Sequence, residues 1–384
     1  MRLGTTSAGI LDNTELDLVV LELQRDCNLA GVFTSSTLKA APVKICERNL
    51  SLRSPEYIIV NTGIANSGTG EQGLIDAESV CEYLAEITNS HIEAVMPCST
   101  GKVGEYLPVK KILTAIPNAL KNLSPSGWSE AAQGILTIDS GPKGTSKTIM
   151  DDKVNITGIV KGSGMIKPNM ATMLSFVETN VDVPKSTLKK YLKYCANLSF
   201  NSISVDGDMS TNDTVVFSSI GNTILNLKNK STEIKFLSCA SDFFIRLSSL
   251  IVKDGEGATK FIKLNVINAK SLILAQEVSK KLSSSILVKT AMFGEDPNWG
   301  RIIASIGSIE SINIKPFNIK LMINNILCFK NGISLDNGSK RLEKSMRKNT
   351  IEITVDLNHG KHNQTMYFCD LSYDYVQINS EYTT

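Results

Sequence analysis

Histidine is almost missing from this chain. Three occur in 384 residues, His91, His359 and His362. None stands in an H-E-x-x-H arrangement, and the His359/His362 pair lies in a polar N-H-G-K-H-N turn that reads as solvated loop. A zinc site or a Ser-His-Asp triad therefore has little to build on, and there is no G-x-S-x-G elbow. Paired cysteines are missing as well. The eight cysteines are scattered without C-x-x-C spacing, the pattern of reduced core thiols in a cytoplasmic protein. No run approaches the roughly 18 apolar residues of a membrane span. The stretch Met1 to Gly9 has no apolar segment of signal-peptide length, which argues against secretion. Charge is balanced at +2, so neither a nucleic-acid surface nor an anionic-membrane surface is indicated.

What is present is an ordinary globular composition, 42% hydrophobic and 20% charged, with strands and helices in α/β alternation. Residues 15–23 and 30–34 read as strands. Tyr57 to Asn61 is a strand running into T-G-I-A-N-S-G-T-G, followed by a helix with Leu74, Ala77, Cys81 and Leu84 on one face. That order invites a dinucleotide fold, but the loop lacks G-x-G-x-x-G spacing. Val95 to Pro97 is a short strand entering C-S-T-G-K-V-G, where Thr100-Gly101 alone reads as a capping turn ahead of the helix opened by Pro108. A short helix covers 129–135, and 148–160 reads as paired strands.

Farther on, a strand covers 173–177. Leu188, Tyr191, Leu192 and Cys195 mark an amphipathic helix, and the acidic loop V-D-G-D-M-S-T-N-D-T precedes a strand from Val215. A long helix spans 234–252, a strand 261–266 and a helix 270–283. The apolar run 287–293 is expected to be a strand. Residues 351–357 alternate most clearly, and the turn at 358–363 is expected to join them to 365–371 as a hairpin.

The central stretch, 161–174, reads K-G-S-G-M-I-K-P-N-M-A-T-M-L. Ala171, a small residue, precedes the hydroxyl residue Thr172 where loop enters strand. A threonine released there as an N-terminus carries nucleophile and base on one residue. Its α-amino group, with an ordinary pKa of about 7.7–8.0, is partly neutral near pH 7 and can take the hydroxyl proton. The same hydroxyl, attacking the Ala171 carbonyl, is a means of cutting the chain. No histidine is needed.

This stretch resembles the signature of the ornithine acetyltransferase (glutamate N-acetyltransferase) family of arginine biosynthesis. The pattern extends over nearly the whole chain: A-G-V-F-T at 30–34, N-T-G-I-A-N-S-G-T-G-E-Q-G at 61–73, S-T-G at 99–101 and D-G-D-M-S-T-N-D at 206–213. It continues in D-G-E-G-A-T-K-F at 254–261, G-E-D-P-N-W-G-R at 294–301 and C-D-L-S-Y-D-Y-V-Q-I-N-S-E-Y-T-T at 369–384. Each block is short; their order along one chain makes the resemblance specific.

The resemblance implies a layered α-β-β-α sandwich and a precursor that cuts itself between Ala171 and Thr172 into an α chain, 1–171, and a β chain, 172–384. Thr172 then takes an acetyl group from N2-acetylornithine and passes it to glutamate, with Thr100 and Gly101 as the oxyanion hole. Substrate contacts carry over at Thr137, Lys161, Thr172, Glu256, Asn379 and Thr384. Lys161 would meet a substrate carboxylate and Glu256 an ammonium group. Neither metal nor cofactor is implied. Some members use acetyl-CoA as donor, and no residue here ties this chain to that activity. Two α and two β chains are the expected assembly.

Some positions depart from the family pattern. Ile138 stands where a second threonine is usual beside Thr137, Ser140 replaces another, Met209 replaces a threonine, and Lys167 adds a charge before the junction. The N-terminal leader of many members has no counterpart here. Two rival expectations stand beside the transferase. One is a self-processing amidohydrolase or aminopeptidase, with water as acceptor. The other is a non-catalytic amino-acid-binding relative.

Overall fold

The computed structural model describes residues 1–11, 15–150, 152–167, 173–310, 316–335 and 340–381. The first part of the chain forms β1 (Arg2–Thr6), β2 (Leu18–Glu22), β3 (Asn28–Phe33), α1 (Ala41–Leu52), β4 (Tyr57–Ile64), α2 (Gly70–Thr88), β5 (Val95–Lys102), α3 (Val109–Lys121), α4 (Trp128–Gly134), β6 (Lys143–Ile149) and β7 (Val154–Lys161). There follow β8 (Leu174–Val181), α5 (Lys185–Leu198), β9 (Ile203–Ser204), β10 (Thr214–Thr223), α6 (Lys230–Lys253), β11 (Phe261–Ala269), α7 (Leu272–Ser283), α8 (Ile286–Phe293) and α9 (Trp299–Gly307). The last elements are β12 (Lys320–Ile323), β13 (Ile326–Lys330), β14 (Ile333–Ser334), α10 (Lys340–Met346), β15 (Thr350–Asp356), β16 (His362–Cys369) and α11 (Tyr373–Glu381).

Three sheets result, ordered β1-β2-β4-β5, β3-β10-β8-β7-β6 and β14-β13-β12-β15-β11-β16-β9. The first two stack face to face. The reason is visible in β2, whose L-V-V-L run is apolar on both faces. Val19 and Leu21 meet Ile159, Leu174 and Phe176 of the second sheet. Leu18 and Val20 turn the other way, onto Ala77 and Leu84 of α2 and Ile116 of α3. The second sheet mirrors this. Val177 and Val181 of β8 face away from the first sheet, toward α5 and α6. Side chains alternate across a strand, so a strand apolar at every position must be covered twice. The layers run helix, sheet, sheet, helix, as expected.

Helix α6 forms the outer layer through a stripe of Phe236, Ala240, Phe243, Phe244, Leu247 and Ile251. Phe244 meets Phe217 of β10 edge-on at 5.3 Å. Asn229 caps the helix by accepting hydrogen bonds from the Ser231 and Thr232 N–H groups at 3.0 and 3.2 Å. All eight cysteines are free and seven are buried, Cys239 being half-buried. Burial pushes the Cys195 thiol to about 12, so it serves as packing rather than as a nucleophile.

Two expectations fail. Residues 286–293 are helix α8, not a strand. Ser285 accepts a hydrogen bond from the Val288 N–H and starts the helix, which buries Val288, Ala291 and Met292 on one side and leaves Ile286 and Leu287 exposed. The serine before the apolar run is the start signal that marks it as a helix. The second failure is the hairpin. β15 and β16 do not pair with each other; β11 lies between them, parallel to β15 and antiparallel to β16. The polar turn arches over the end of β11, where the His359 N–H donates to the Asn268 carbonyl at 2.8 Å. Gly360 lies so close there that a Cβ would stand 2.3 Å from the Ala269 carbonyl oxygen. Alternation reveals that two strands share a buried face. It does not reveal what separates them.

Candidate active site

The stacked sheets bring the ends of β5 and β7 together. β5 runs beyond its expected end and includes Thr100 and Gly101, so these are strand residues rather than a capping turn. They lie beside the other glycine block, Thr62 opposite Thr100 and Gly63 opposite Gly101, where the register breaks. Gly101 has φ +128°, and a Cβ there would stand 2.1 Å from the Gly63 carbonyl carbon, so only glycine fits.

Lys161 ends β7. It is 3% exposed, a charge held inside the protein. Its Nζ donates to Thr137 Oγ1 at 2.9 Å and to Thr100 Oγ1 at 3.2 Å. Asp139 Oδ2 lies 3.6 Å away. Asp139 is the hub beneath the lysine. Its Oδ1 accepts from Lys143 Nζ and from the Gly162 N–H, both at 2.7 Å. Burial works to raise the Asp139 pKa, but Lys161, Lys143 and the Gly162 N–H overcome it and hold the carboxyl well below the usual range. The buried Lys161 side chain thus has a counter-ion built in beside it.

On the other side stands Glu256, just past α6 and 9% exposed. Its Oε2 accepts from Asn379 Nδ2 of α11 at 2.6 Å, and its N–H donates to the Ser163 carbonyl at 3.0 Å. Burial raises the Glu256 carboxyl, the Asn379 hydrogen bond opposing it. The glycine beneath leaves room for this carboxylate, since a Cβ on Gly164 would stand 2.1 Å from Glu256 Oε1 and push the end of that side chain aside. The loop 163–166 is pinned by Asp206, whose carboxylate accepts from the Met165 and Ile166 N–H groups at 2.6 and 3.0 Å.

Together these residues line a cleft of 290 Å³, where Thr100, Gly101, Thr137, Lys161, Glu256 and Asn379 converge. Asp206, Asp208 and Tyr375 line it too, as does Ile138, one of the residues that depart from the family pattern. Ala171, Thr172 and Thr384 lie outside the described residues. The cleft offers one buried cation and several carboxyls in a space suited to a small zwitterion. A hydroxyl and a backbone N–H at Thr100-Gly101 supply the kind of donors that an oxyanion needs.

Sequence reasoning missed Asp139 and Asp206. The only signal for Asp139 in the sequence is a carboxylate two residues from Thr137, in a stretch preceding a glycine. The acidic loop braces the whole site. Besides Asp206, its Asn212 Nδ2 donates to the carbonyls of Ala65 at 2.6 Å and Ser99 at 2.9 Å, tying both glycine blocks to it.

The sequence model of the ArgJ family matches residues 2–384. The arginine biosynthesis bifunctional protein ArgJ of Colwellia psychrerythraea is 39% identical over 409 aligned residues, covering 100% of this chain and 96% of that protein. Its counterpart in Psychrobacter arcticus is also 39% identical, covering 100% of this chain and 95% of its own. A crystal structure of the protein of that name from Bacillus halodurans is 35% identical, with a TM-score of 0.52, covering 55% of this chain and all of its own. The order of blocks along the sequence and these matches agree: the chain belongs to the ArgJ family.

Proposed function

We propose that this arginine-biosynthesis enzyme moves an acetyl group from N2-acetylornithine to glutamate through an acetyl ester on Thr172, after cutting itself between Ala171 and Thr172. The observation that carries the reading is the cleft. It gathers Thr100, Gly101, Thr137 and Lys161 from before the junction and Glu256 and Asn379 from after it.

In this account the free α-amine of Thr172 takes the hydroxyl proton, and the oxygen attacks the acetyl carbonyl. Thr100 and the Gly101 N–H receive the developing oxyanion. One such donor lowers a barrier by roughly 3 kcal/mol. Lys161 binds the substrate carboxylate, and Asp139 holds the lysine in place. Glu256 binds an ammonium group, with Asn379 fixing its orientation. Thr137 and Thr384 complete the substrate contacts. Ornithine leaves, glutamate enters, and its amine takes the acetyl group. The chemistry requires neither metal nor cofactor. The working form is a cytoplasmic assembly of two α chains, 1–171, and two β chains, 172–384. Among the described residues, no helix is long and apolar enough to cross a membrane.

Acetyl transfer measured with and without glutamate tests the reaction. Acetylglutamate formed at the expense of acetylornithine is expected. Acetate released at the same rate without glutamate would make the enzyme a hydrolase. Supplying acetyl-CoA in place of acetylornithine establishes whether it also serves as donor.

A further inference from the structure

Asn379 reaches the cleft from α11, a helix none of whose residues is buried. Apolar packing does little to fix its direction beyond Tyr373, which meets Phe293 edge-on at 5.4 Å. Polar ties do the rest. Ser372 stands immediately before the helix and is 5% exposed. Its Oγ accepts from the Tyr375 N–H at 3.3 Å, which caps the first turn, and donates to the Gly257 carbonyl at 2.6 Å. Gly257 has φ +64°, and a Cβ there would stand 2.5 Å from the Tyr375 nitrogen, so the start of the helix lies directly on this glycine. Just upstream, the buried Asp370 accepts from the Thr259 and Lys260 N–H groups at 2.8 and 2.9 Å. The chain entering α11 is therefore locked to the stretch that follows Glu256.

At the other end, Asn379 Nδ2 donates to Glu256 Oε2 at 2.6 Å and to the Tyr375 carbonyl, one turn back, at 3.0 Å. The second bond fixes the amide to its own helix, so it moves as the helix moves. The two ends of this span are thus tied to adjacent residues, Gly257 and Glu256, and the ties close a ring.

We infer that Ser372 is a positioning residue for substrate binding: it aims Asn379 at Glu256 and so sets the carboxylate that takes the substrate's ammonium group. The inference rests on the reading above that Glu256 binds an ammonium group. Seven residues of helix put Asn379 about 10 Å from the cap, so a swing of about 10° there moves the amide about 2 Å, enough to break a hydrogen bond. With Asn379 on Oε2, the oxygen that lies against Gly164, Oε1, is presented to the ligand. Once Ser372 lets go, Glu256 is free to turn, and ordering it again weakens ligand binding.

The test measures L-ornithine binding by calorimetry and acetylornithine kinetics on the whole protein, with thermal melting as the control on folding. The variants are Ser372→Ala, Ser372→Gly, Ser372→Thr, Asn379→Ala and the double change Ser372→Ala with Asn379→Ala. Glycine is tolerated at a helix cap but has no hydroxyl to reach Gly257, so Ser372→Gly separates the tie from the cap. Alanine and glycine are expected to weaken ornithine binding and raise the acetylornithine KM about 10-fold, with kcat changed less than about twofold. Threonine, which keeps the hydroxyl, should restore both. The double variant should bind no more weakly than Asn379→Ala alone, because the two residues act through one contact. Wild-type binding by Ser372→Gly would overturn the inference, as would losses that multiply in the double variant. Ornithine binding left unchanged by Glu256→Gln would instead refute the ammonium-binding reading on which the inference stands.

Discussion

Lys161 Nζ, at the end of a strand in the second sheet, donates a 3.2 Å hydrogen bond to Thr100 Oγ1 at the end of a strand in the first. The contact closes the two-sheet stack at the point where the cleft opens. It also places the site's buried cation beside the proposed oxyanion hole. Replacing Lys161 by methionine preserves much of the apolar length but removes the charge. The loss of a charge-assisted contact to a substrate carboxylate predicts a fall in kcat/KM of about 100-fold. Steady-state kinetics with acetylornithine checks this.

Asp139 faces both Lys161 and Lys143. Replacing it with asparagine leaves the buried Lys161 ammonium short of a counter-ion, while Lys143 keeps Asp254, and a loss of about 3–5 kcal/mol is expected. The pH dependence has a definite sign. The folded pKa lies below the unfolded one, so the stability it contributes is fully present above about pH 4, the ordinary aspartate value, and is lost as pH falls through the folded pKa. Melting curves across the acid range should be steeper for the wild type than for Asp139→Asn.

Glu256 carries the opposite shift. Its pKa is raised by burial, so its charged form costs the fold stability as pH rises through the interval between the unfolded and folded values. Glu256→Gln should therefore melt no lower than the wild type at neutral pH. Its kcat/KM should fall about 10- to 100-fold, because an amide cannot pair with an ammonium group as a carboxylate does. Calorimetry and kinetics on the same preparation separate the two effects.

Gly164 tests the geometry of that carboxylate. A Cβ there meets Glu256 Oε1 at 2.1 Å, so Gly164→Ala must push the end of the glutamate side chain aside. The glutamate can move, and the fold should survive with a small change in melting temperature. Weakened substrate binding is expected, with KM raised about 10-fold and kcat less affected. A KM equal to that of the wild type would show that the position of Glu256 does not matter to binding.

Much of this architecture was legible from residue patterns. Strands apolar at every position, such as β2, announced double coverage. The family blocks picked out Thr100, Lys161, Glu256 and Asn379 while they were still dispersed along the chain. What local pattern could not supply was adjacency. β11 enters between β15 and β16 because of packing across the sheet, and no periodicity encodes that. The role of Asp139 depends on two lysines brought to it by different parts of a sheet. The apolar run at 286–293 is compatible with strand or helix by composition, and Ser285, capping its first turn, decides for helix.

The central claim is that Thr172 becomes a new N-terminus and carries the acetyl group. Intact-mass measurement of purified protein mixed with acetylornithine, without glutamate, tests it directly. The account predicts two chains, 1–171 and 172–384, with the second gaining one acetyl group on its N-terminal threonine and losing it when glutamate is added. A Thr172→Ala chain should remain uncut and unlabelled. A single uncut wild-type chain that still transfers acetyl groups, or an acetyl group on any other residue, would contradict the account.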